Sequence, residues 1–379
     1  MKPKVKVVHI IVGLDVGGAE KALCRLVTAH AGSERYLHSV VSLTNKGTLS
    51  AQLEAQGITV ESLGLRSATQ APRAFLSLRR ALAERDPDII QCWMYHADLL
   101  GGLAAFSLGK RGVIWGIRNS KFEAGGTFVK KAIRGMCALL SHSIPRRIVC
   151  VAESALTLHA KVGYDARKMI VIPNGFDLEE FRPDADARVR IRAELRLTEG
   201  DVVIGSVGRY SRAKDHATFL AAAAGVAERW PAARFLLVGR DVDVDNPDLV
   251  RMVADYGLEG KVRLAGERDD VAACMAAMDV FCLHSETEGF PNVLGEAMGS
   301  ALPVVTTEAG DAKQIVGDCG IVVAVGDADA LGEALGDLVG LNRSELVAAG
   351  AKARARAEER YAFHNVVTAY ESLYEQIHG

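Results

Sequence analysis

Two glutamates, Glu288 and Glu296, lie eight positions apart in ETEGFPNVLGEAM (286–298). Pro291 between them suits the first turn of a helix, and Gly289 suits the bend that precedes it. Glu288 is therefore expected in a loop and Glu296 about one and a half turns inside the helix, whose free amides attract phosphate. Carboxylates accept hydrogen bonds from hydroxyl groups, so the pair could hold a sugar and a ribose. The alternative is one glutamate that stabilises the helix dipole and a second that is only solvated.

Two cations follow a strand-like run in GSVGRYSRAKDH (205–216), where Arg209 and Lys214 lie five positions apart after Gly208. A guanidinium offers a planar fork to phosphate oxygens, and an ammonium offers a point charge. Together they could stabilise the charge that develops on a departing diphosphate without a metal ion. The alternative is a pair of solvated loop cations.

A third motif, VGLDVGGAEKAL (12–23), reads as a strand, a glycine-rich turn and a helix. Gly17 and Gly18 would let the backbone approach a phosphate closely at the start of that helix. The motif is neither GxGxxG nor a P-loop, so nicotinamide and NTPase functions are not favoured. A plain strand-to-helix turn is the alternative.

Short β-branched strand-like runs alternate with helix-like segments along the whole chain, a pattern that predicts parallel sheets covered on both faces. We expect two doubly wound α/β domains joined near PNGFDLEEFRPD (173–184), with a ligand cleft between them. The predicted strands are KVVHIIVG, HSVVSL, ITVESL, DIIQCW, GVIWGI, RIVCVA and MIVIPN in the first half, and VVIGSVG, RFLLVG, VRLAG, VFCLH, PVVTT and GIVVAV in the second.

Composition agrees with two globular domains, because 379 residues exceed one ordinary core and the charged fraction of 24% is typical of soluble proteins. The opening MKPKVKVVHIIVGL resembles a signal peptide but lacks a cleavage site, and we interpret it as a buried strand. Seven cysteines without a CxxC pair indicate a reducing cytoplasm, without disulfides or a zinc site. Up to Gly175 there are 24 Lys+Arg and 12 Asp+Glu, against 21 and 35 afterwards. This asymmetry favours two domains with different partners.

The segments GGAE (17–20), VIPNGFDLEEFRP (171–183), GRYSRAKDH (208–216) and SETEGFPNVLGEAM (285–298) strongly resemble the retaining glycosyltransferases of family 4, which have the GT-B fold of two Rossmann-like domains facing across a cleft. The resemblance extends over almost the whole chain. It implies an acceptor-binding domain of residues 1–175 plus 362–379, to which the last helix returns, and a donor-binding domain of residues 176–361.

The same resemblance implies roles for individual residues. Arg209 and Lys214 would bind the donor diphosphate, Glu288 would contact the transferred sugar, and Glu296 would hold the ribose. The catalytic set would be Arg209, Lys214 and Glu288, and the donor would also contact Gly17, Gly18, Gly208, Gly289, Phe290, Pro291, Asn292 and Glu296.

The chain departs from the family pattern at two places. Gly299-Ser300-Ala301 replaces a common alanine–small–glycine, a change that could alter the turn without an obvious effect on the chemistry. The family's sugar-contacting histidine, after a strand like VIWGI, has Arg118 in its place, while His96 lies upstream. Either residue could contact the acceptor or sugar, and His96 could equally pack beside Trp93.

Two further segments imitate binding motifs. Asp241, Asp243 and Asp245 resemble a DxD metal motif, but a calcium loop would need glycine and glutamate at its sixth and twelfth positions, where Asn246 and Met252 stand. We expect a solvated loop and no metal or other cofactor. The basic segment 110–147 holds nine Lys+Arg and one acidic residue, Glu123. It favours an anionic membrane surface over nucleic acid, or else a solvated basic helix.

The sequence thus indicates transfer of a hexose-type sugar from a UDP- or GDP-linked donor to a hydroxyl acceptor, such as a lipid-linked or cell-surface glycan precursor. The protein would act in the cytoplasm or peripherally on the inner face of the cell membrane. Alternatives are a nucleotide-sugar epimerase, another GT-B enzyme such as a phosphorylase, or a non-catalytic nucleotide-sugar-binding or membrane-adaptor protein.

Overall fold

The computed structural model describes residues 3–15, 17–119, 122 and 128–379. The chain divides into two compact units, which we call unit 1 (Met1–Asn174 with His364–Gly379) and unit 2 (Gly175–Phe363). The boundaries expected from the sequence lie one and two residues from these.

Unit 1 contains a seven-stranded parallel sheet in the order β3-β2-β1-β4-β5-β6-β7. Its strands are β1 (Val5–Ile11), β2 (Tyr36–Ser42), β3 (Thr59–Ser62), β4 (Ile89–Trp93), β5 (Val113–Ile117), β6 (Arg147–Cys150) and β7 (Met169–Val171). Its helices are α1 (Gly18–Ala29), α2 (Ser50–Ala55), α3 (Ala71–Arg85), α4 (Tyr95–Ser107), α5 (Phe128–Ser141) and α6 (Glu153–Lys161).

Unit 2 contains a six-stranded parallel sheet in the order β10-β9-β8-β11-β12-β13. Its strands are β8 (Val202–Val207), β9 (Ala233–Val238), β10 (Val262–Leu264), β11 (Val280–Leu283), β12 (Val304–Thr307) and β13 (Gly320–Val323). Its helices are α7 (Ala185–Glu194), α8 (His216–Arg229), α9 (Pro247–Asp255), α10 (Val271–Ala276), α11 (Asn292–Gly299), α12 (Ala312–Val316), α13 (Ala328–Val339) and α14 (Arg343–Tyr361).

Each of the thirteen apolar runs identified in the sequence overlaps one of these strands, which confirms the prediction of two doubly wound parallel sheets. The opening segment is also a strand, and its residues from Val7 to Ile11 are buried. Strand order reverses direction between β1 and β4 in unit 1, and between β8 and β11 in unit 2. Ligands of doubly wound sheets bind beyond the carboxyl ends of the strands at such switch points.

The last helix, α15 (Phe363–His378), packs into the core of unit 1. Tyr370, Leu373, Tyr374 and Ile377 are buried in one apolar cluster with residues of β1, β2 and β4. Burial of each large apolar side chain contributes on the order of 1.5–3 kcal/mol, so this face accounts for the docking of α15. The hydroxyl of Tyr374 also donates a hydrogen bond to the side-chain oxygen of Gln91 on β4.

The structure describes the state of the cysteines and the apolar character of the helices. All seven cysteines are free thiols, and six of them are buried. Among the residues that the structure describes, no helix combines the length and the apolar character needed to cross a membrane.

The backbone at Ala301 shows the structural effect of the Gly299-Ser300-Ala301 segment. It follows α11 with a φ of +56°, in the left-handed region that favours glycine. The turn therefore has a left-handed conformation although alanine occupies it, at a cost on the order of 1 kcal/mol.

Candidate functional site

The loops that follow β8 and β11 meet at the switch point of unit 2. Lys214 ends a short 3₁₀ helix, Arg212–Lys214, and the amides of Glu286 and Thr287 donate to the carbonyl of Ala213 at 2.9 and 3.3 Å. These bonds tie the second loop to the first. They bring together two motifs that are more than 70 residues apart in the sequence.

Lys214 and Glu288 form an ion pair at this point. The Nζ atom of Lys214 lies 2.6 Å from Oε1 of Glu288, and the hydroxyl of Ser285 donates to the same oxygen at 2.6 Å. The two charged side chains are only 20% and 14% exposed. A Cβ atom on Gly208 would lie 3.1 Å from Cε of Lys214, so this glycine makes room for the lysine side chain.

Arg209 differs from Lys214 in its surroundings. It is exposed, and its side chain makes no hydrogen bond or ion pair with any residue in the described part of the chain. The loop thus offers one cation that is already neutralised by a carboxylate and one that is open to a ligand.

The segment between Glu288 and α11 is held by contacts on two sides. The ring of Phe290 stacks on that of Phe176 with centroids 5.9 Å apart. The carbonyl of Gly289 accepts a hydrogen bond of 3.1 Å from the amide of Asp311. Gly310, at a φ of +58°, lies so close that a Cβ atom there would be 2.3 Å from the oxygen of Gly289. The backbone beside Glu288 is therefore fixed by packing.

The start of α11 differs by one residue from the sequence prediction. Pro291 precedes the helix, at the capping position with φ −73° and ψ 92°, and Asn292 is the first helical residue. The prediction that Pro291 occupies the first turn was therefore wrong, because its backbone is still extended. Glu296 lies in the second turn and is half-buried.

Two histidines that the sequence analysis did not single out support this site. The hydroxyl of Ser206 and Nε2 of His284 are 2.8 Å apart at the ends of β8 and β11. Burial, and then the charge of the neighbouring His216, lower the pKa of His284 to about 3. Burial and the charge of Lys214 lower the pKa of His216 to about 4. Both rings are neutral near pH 7 and serve as packing groups. The sequence signal that could have identified them is their position: His284 is the last residue of the predicted strand VFCLH, and His216 begins helix α8.

Unit 1 has a cavity of about 530 Å³ at its own switch point, where β1 and β4 end. His96 lines this cavity, and partial burial followed by the charge of Lys130 lowers its pKa. The lining includes the carboxylates of Asp15, in the β1–α1 turn, and Glu20, on α1, together with cations from α5. The lining residues are Val12, Gly13, Asp15, Glu20, Thr44, Met94, Tyr95, His96, Asn119, Phe122, Lys130, Lys131, Ile133 and Arg134.

The glycine-rich turn of unit 1 already holds a carboxylate. Gly17 is the residue before α1 and Gly18 is its first residue. A Cβ atom on Gly17 would lie 2.3 Å from Oε2 of Glu20, so the absence of a side chain leaves room for this glutamate. Burial raises the pKa of Glu20, a hydrogen bond from its own backbone amide opposes the shift, and the charge of Asp15 adds to it. Sequence analysis quoted Glu20 within GGAE but gave it no role.

Arg118 has a structural position in unit 1. Its guanidinium lies 4.4 Å from the ring centroid of Trp93 and donates to Oδ1 of Asn174 at 3.0 Å and to the hydroxyl of Tyr370 at 2.7 Å. It is not among the residues that line the cavity. Of the two alternatives left open by the sequence, His96 lines the cavity and Arg118 fastens α15.

The aspartates that imitate a metal motif lie in the turn before α9. The amide of Asp245 donates to Asp243 at 3.0 Å, and Asn246 caps α9 by accepting from the amides of Asp248 and Leu249. Within the described residues, no group of three or more His, Cys, Asp or Glu side chains is placed to hold a metal ion. In the basic segment 110–147, Lys121 and Glu123 lie outside the described residues.

Comparison with known families agrees with this geometry. The profile of Glycosyltransferase Family 4 matches residues 16–180, and that of Glycosyl transferases group 1 matches residues 201–340. The first match lies in unit 1 and extends into the first six residues of unit 2, and the second match lies entirely in unit 2. The second match contains both switch-point loops of unit 2, and the first contains the loop after β4 and the start of α1.

Several relatives are similar to parts of the chain. The UDP-Gal:alpha-D-GlcNAc-diphosphoundecaprenol alpha-1,3-galactosyltransferase of Escherichia coli is 28% identical over 238 residues, which cover 62% of this chain and 61% of that protein. The phosphatidyl-myo-inositol mannosyltransferase of Mycolicibacterium smegmatis is 33% identical over 58% of this chain and 54% of its own length. The putative glycosyltransferase EpsF of Bacillus subtilis is 24% identical over 80% and 79%. The chain thus spans less than two thirds of the length of the E. coli and M. smegmatis proteins.

Solved structures share the fold over the full length. Anabaena Alr3699/HepE, crystallised with UDP, superposes with a TM-score of 0.85 at 21% identity, over 98% of this chain and 100% of that chain. WaaG, a glycosyltransferase involved in lipopolysaccharide biosynthesis, gives 0.73 at 16% identity, over 97% and 99%. Both profiles and this GT-B architecture lead to one assignment: the chain combines a Glycosyltransferase Family 4 domain with a Glycosyl transferases group 1 domain in a GT-B fold.

Proposed function

We propose that this protein is a retaining glycosyltransferase that moves a hexose-type sugar from a UDP- or GDP-linked donor to a hydroxyl acceptor. The observation that carries the proposal is the ion pair of Lys214 with Glu288, beside the open cation Arg209, at the switch point of unit 2. A diphosphate needs positive charge, and a sugar ring needs hydrogen-bond acceptors, at adjacent points. This loop pair supplies both.

In the proposed reaction, the bond between the anomeric carbon and the diphosphate oxygen breaks while the acceptor oxygen attacks from the same face. The acceptor proton passes to the departing phosphate oxygen, so no enzyme carboxylate is needed as a nucleophile. Arg209 and Lys214 stabilise the negative charge on the leaving diphosphate in place of a metal ion. Glu288 accepts hydrogen bonds from the transferred sugar, and Glu296 accepts them from the ribose.

The remaining donor contacts follow from the fixed loop. Gly289, Phe290, Pro291 and Asn292 line the sugar position, with Phe290 anchored by its stack on Phe176. Gly208 acts indirectly, since it accommodates the side chain of Lys214.

The acceptor is proposed to be a glycan precursor carried on a lipid. The E. coli and M. smegmatis relatives are named for a diphosphoundecaprenol-linked and a phosphatidylinositol acceptor. The cavity of unit 1, with His96 and cations of α5, has the polar lining that a sugar attached to phosphate requires. Gly17 and Gly18 would contact the phosphates of the donor, not of the acceptor, at the start of α1. The basic segment 110–147 would lie against the inner face of the cell membrane, and no nucleic acid is involved.

The test begins with thermal unfolding of the purified chain in the presence of UDP, GDP and their sugars, because a specific ligand raises the melting temperature with its concentration. Nucleotide release is then measured with and without a lipid-diphosphate-linked sugar as acceptor, in buffer with and without EDTA. We expect release that depends on acceptor and tolerates EDTA, and a product with the donor's anomeric configuration by NMR. Acceptor-independent conversion of the sugar would instead indicate an epimerase. Inverted products would refute retention.

A further inference from the structure

Helix α5 presents its apolar side to the outside. Phe128 and Leu139 are 85% and 73% exposed, and Val129 and Met136 are also exposed. Apart from Lys130 and Lys131 in the first turn, every exposed residue of α5 is apolar or glycine. The spacing of Phe128, Ala132, Met136 and Leu139 places them on one face of the helix. A surface helix of a soluble protein normally turns such a face to the core.

The opposite side of α5 is where its polar contacts lie. Arg134 is half-buried and lies 3.5 Å from the ring centroid of Phe122. It lines the cavity of unit 1 together with Lys130, Lys131 and Ile133. The inner side of α5 also buries Cys137, Ala138 and Ser141, so the helix already has a face toward unit 1. Its outer apolar face is an additional one that has no partner within the described chain.

The positive charge beside this apolar face indicates what kind of partner it would bind. Three residues of α5 are cations, Lys130, Lys131 and Arg134, and none is acidic. On α5 itself, Lys130 and Lys131 are exposed beside the apolar stripe. A stripe of large apolar side chains flanked by cations is typical of helices that lie in the headgroup region of an anionic bilayer.

We infer that α5 is a docking surface for an anionic lipid bilayer, with Phe128, Val129, Met136 and Leu139 inserted at the boundary between headgroups and acyl chains. The helix has 14 residues and a length of about 21 Å, too short to cross a hydrocarbon core of roughly 30 Å. It therefore lies along the surface, where such helices insert about 5–10 Å deep.

This inference deepens the proposed function and rests on it for the acceptor. A helix with its apolar face in the bilayer would hold Lys130 and Arg134, on the cavity side, near the headgroup level. A lipid-linked phosphate would then meet cations as soon as its sugar enters the cavity. Docking itself does not depend on catalysis, so the two can be tested separately.

The experiment measures partitioning of the full chain onto large unilamellar vesicles by co-sedimentation. One set of vesicles is phosphatidylcholine alone, and the other contains roughly 30% phosphatidylglycerol, an anionic content that attracts basic surfaces. We expect binding at least about tenfold tighter to the anionic vesicles, weakened at high salt because the attraction is screened. The double variant Phe128→Ser/Leu139→Ser should bind about 100-fold more weakly, since two large apolar side chains no longer insert.

Leu76→Ser is the matched control, because Leu76 on α3 is 63% exposed and belongs to the same unit. It should leave the partition coefficient unchanged. Circular dichroism should show equal melting temperatures for all variants, as the replaced side chains lie outside the core. Equal partitioning of the α5 double variant and the wild type would overturn the inference.

A second copy of the chain is the competing occupant of the stripe. Sedimentation velocity would then show a wild-type dimer and a monomeric double variant, and that result would also overturn the inference. Nucleotide release with a water-soluble acceptor, measured without vesicles, reports on the proposed function alone. The double variant should match the wild type there, since neither replaced residue lines the cavity.

Discussion

Lys214 and Glu288 share an ion pair of 2.6 Å although 73 residues separate them in the sequence. The pair is mostly shielded from water, so each charge depends on the other for compensation. A donor diphosphate that draws Lys214 toward itself would release Glu288 to accept hydrogen bonds from the sugar. Under the proposed function, binding of the diphosphate and binding of the sugar would thereby be coupled.

Lys214→Ala should lower kcat by about 10²–10³, because one of two cations on the leaving diphosphate is removed. It should also lower the free energy of unfolding by about 1–3 kcal/mol, since Glu288 is left largely buried without its partner. Arg209→Ala is the comparison: similar loss of kcat is expected, with unchanged stability, because Arg209 is exposed. Steady-state kinetics measure kcat of both variants, and urea unfolding measures their free energy of unfolding. Near-normal turnover of Lys214→Ala would remove the lysine from the mechanism.

Glu288→Gln should separate nucleotide binding from sugar binding. The amide keeps the size of the side chain and a hydrogen-bond acceptor for Ser285, but it no longer neutralises Lys214. Free UDP or GDP should therefore bind as tightly as before or several-fold tighter, while kcat falls by at least about tenfold. Calorimetric titration with the nucleotide diphosphate and turnover assays give the two numbers. If nucleotide binding and turnover weakened equally, the proposed coupling between diphosphate and sugar binding would be contradicted.

Gly310→Ala should disturb the site through the backbone beside Glu288. The new Cβ atom would lie 2.3 Å from the oxygen of Gly289, so the loop must shift, and turnover should fall by about tenfold or more. Gly326→Ala is the control, because Gly326 also has a positive φ but no atom lies within 4 Å of its Cβ position. Both variants should lose about 1 kcal/mol of stability from backbone strain. Gly310→Ala should lose more than that, because its Cβ clashes with backbone atoms, and only this variant should lose activity.

Acidification should destabilise unit 1 through its buried histidines. Trp93 Nε1 donates to Nδ1 of His9 at 3.2 Å, and Nε2 of His9 then donates to Nδ1 of His38 at 2.9 Å. Burial, and then the charge of His30, lower the pKa of His38 to about 3. The stability contributed by the neutral ring is complete above the unfolded-state pKa of about 6.5, and it is lost as pH falls through that value toward 3.

The loss from one such histidine is about 2 kcal/mol between pH 6.5 and pH 5. Replacement His38→Asn keeps an acceptor near the position of Nδ1 but removes the titrating ring. Its melting temperature should fall less steeply from pH 7 to pH 5 than that of the wild type. Parallel slopes in a calorimetric pH series would show that His38 does not contribute.

Ala301→Gly should stabilise unit 2, because glycine accepts the observed φ of +56° without strain. The gain is expected to be at most about 1 kcal/mol, reduced by the larger backbone entropy of glycine in the unfolded chain. Thermal unfolding measures it, and a lower melting temperature would show that the turn is not strained.

Much of the molecule follows from local sequence. Most of the thirteen strands lie in short apolar runs, since a strand covered by helices on both faces must be apolar along its length. The motifs with Arg209, Glu288, Gly17 and His96 all follow the strands that flank a switch point. Residues that end a buried strand face the ligand edge of the sheet, and this is why their types and order already indicated a binding site.

Other features depend on contacts between distant segments. Sequence spacing could not show that Glu288 neutralises Lys214, that Glu20 lies against Gly17, or that α5 turns its apolar face outward. Arg118 stands where the family pattern places a sugar contact, yet it holds Tyr370 of α15. Sequence fixes which segments become strands and helices, because propensity and burial act within a few residues. The partner of each charge is set by the order of strands in the sheet, which brings side chains from separate loops within 3 Å of each other.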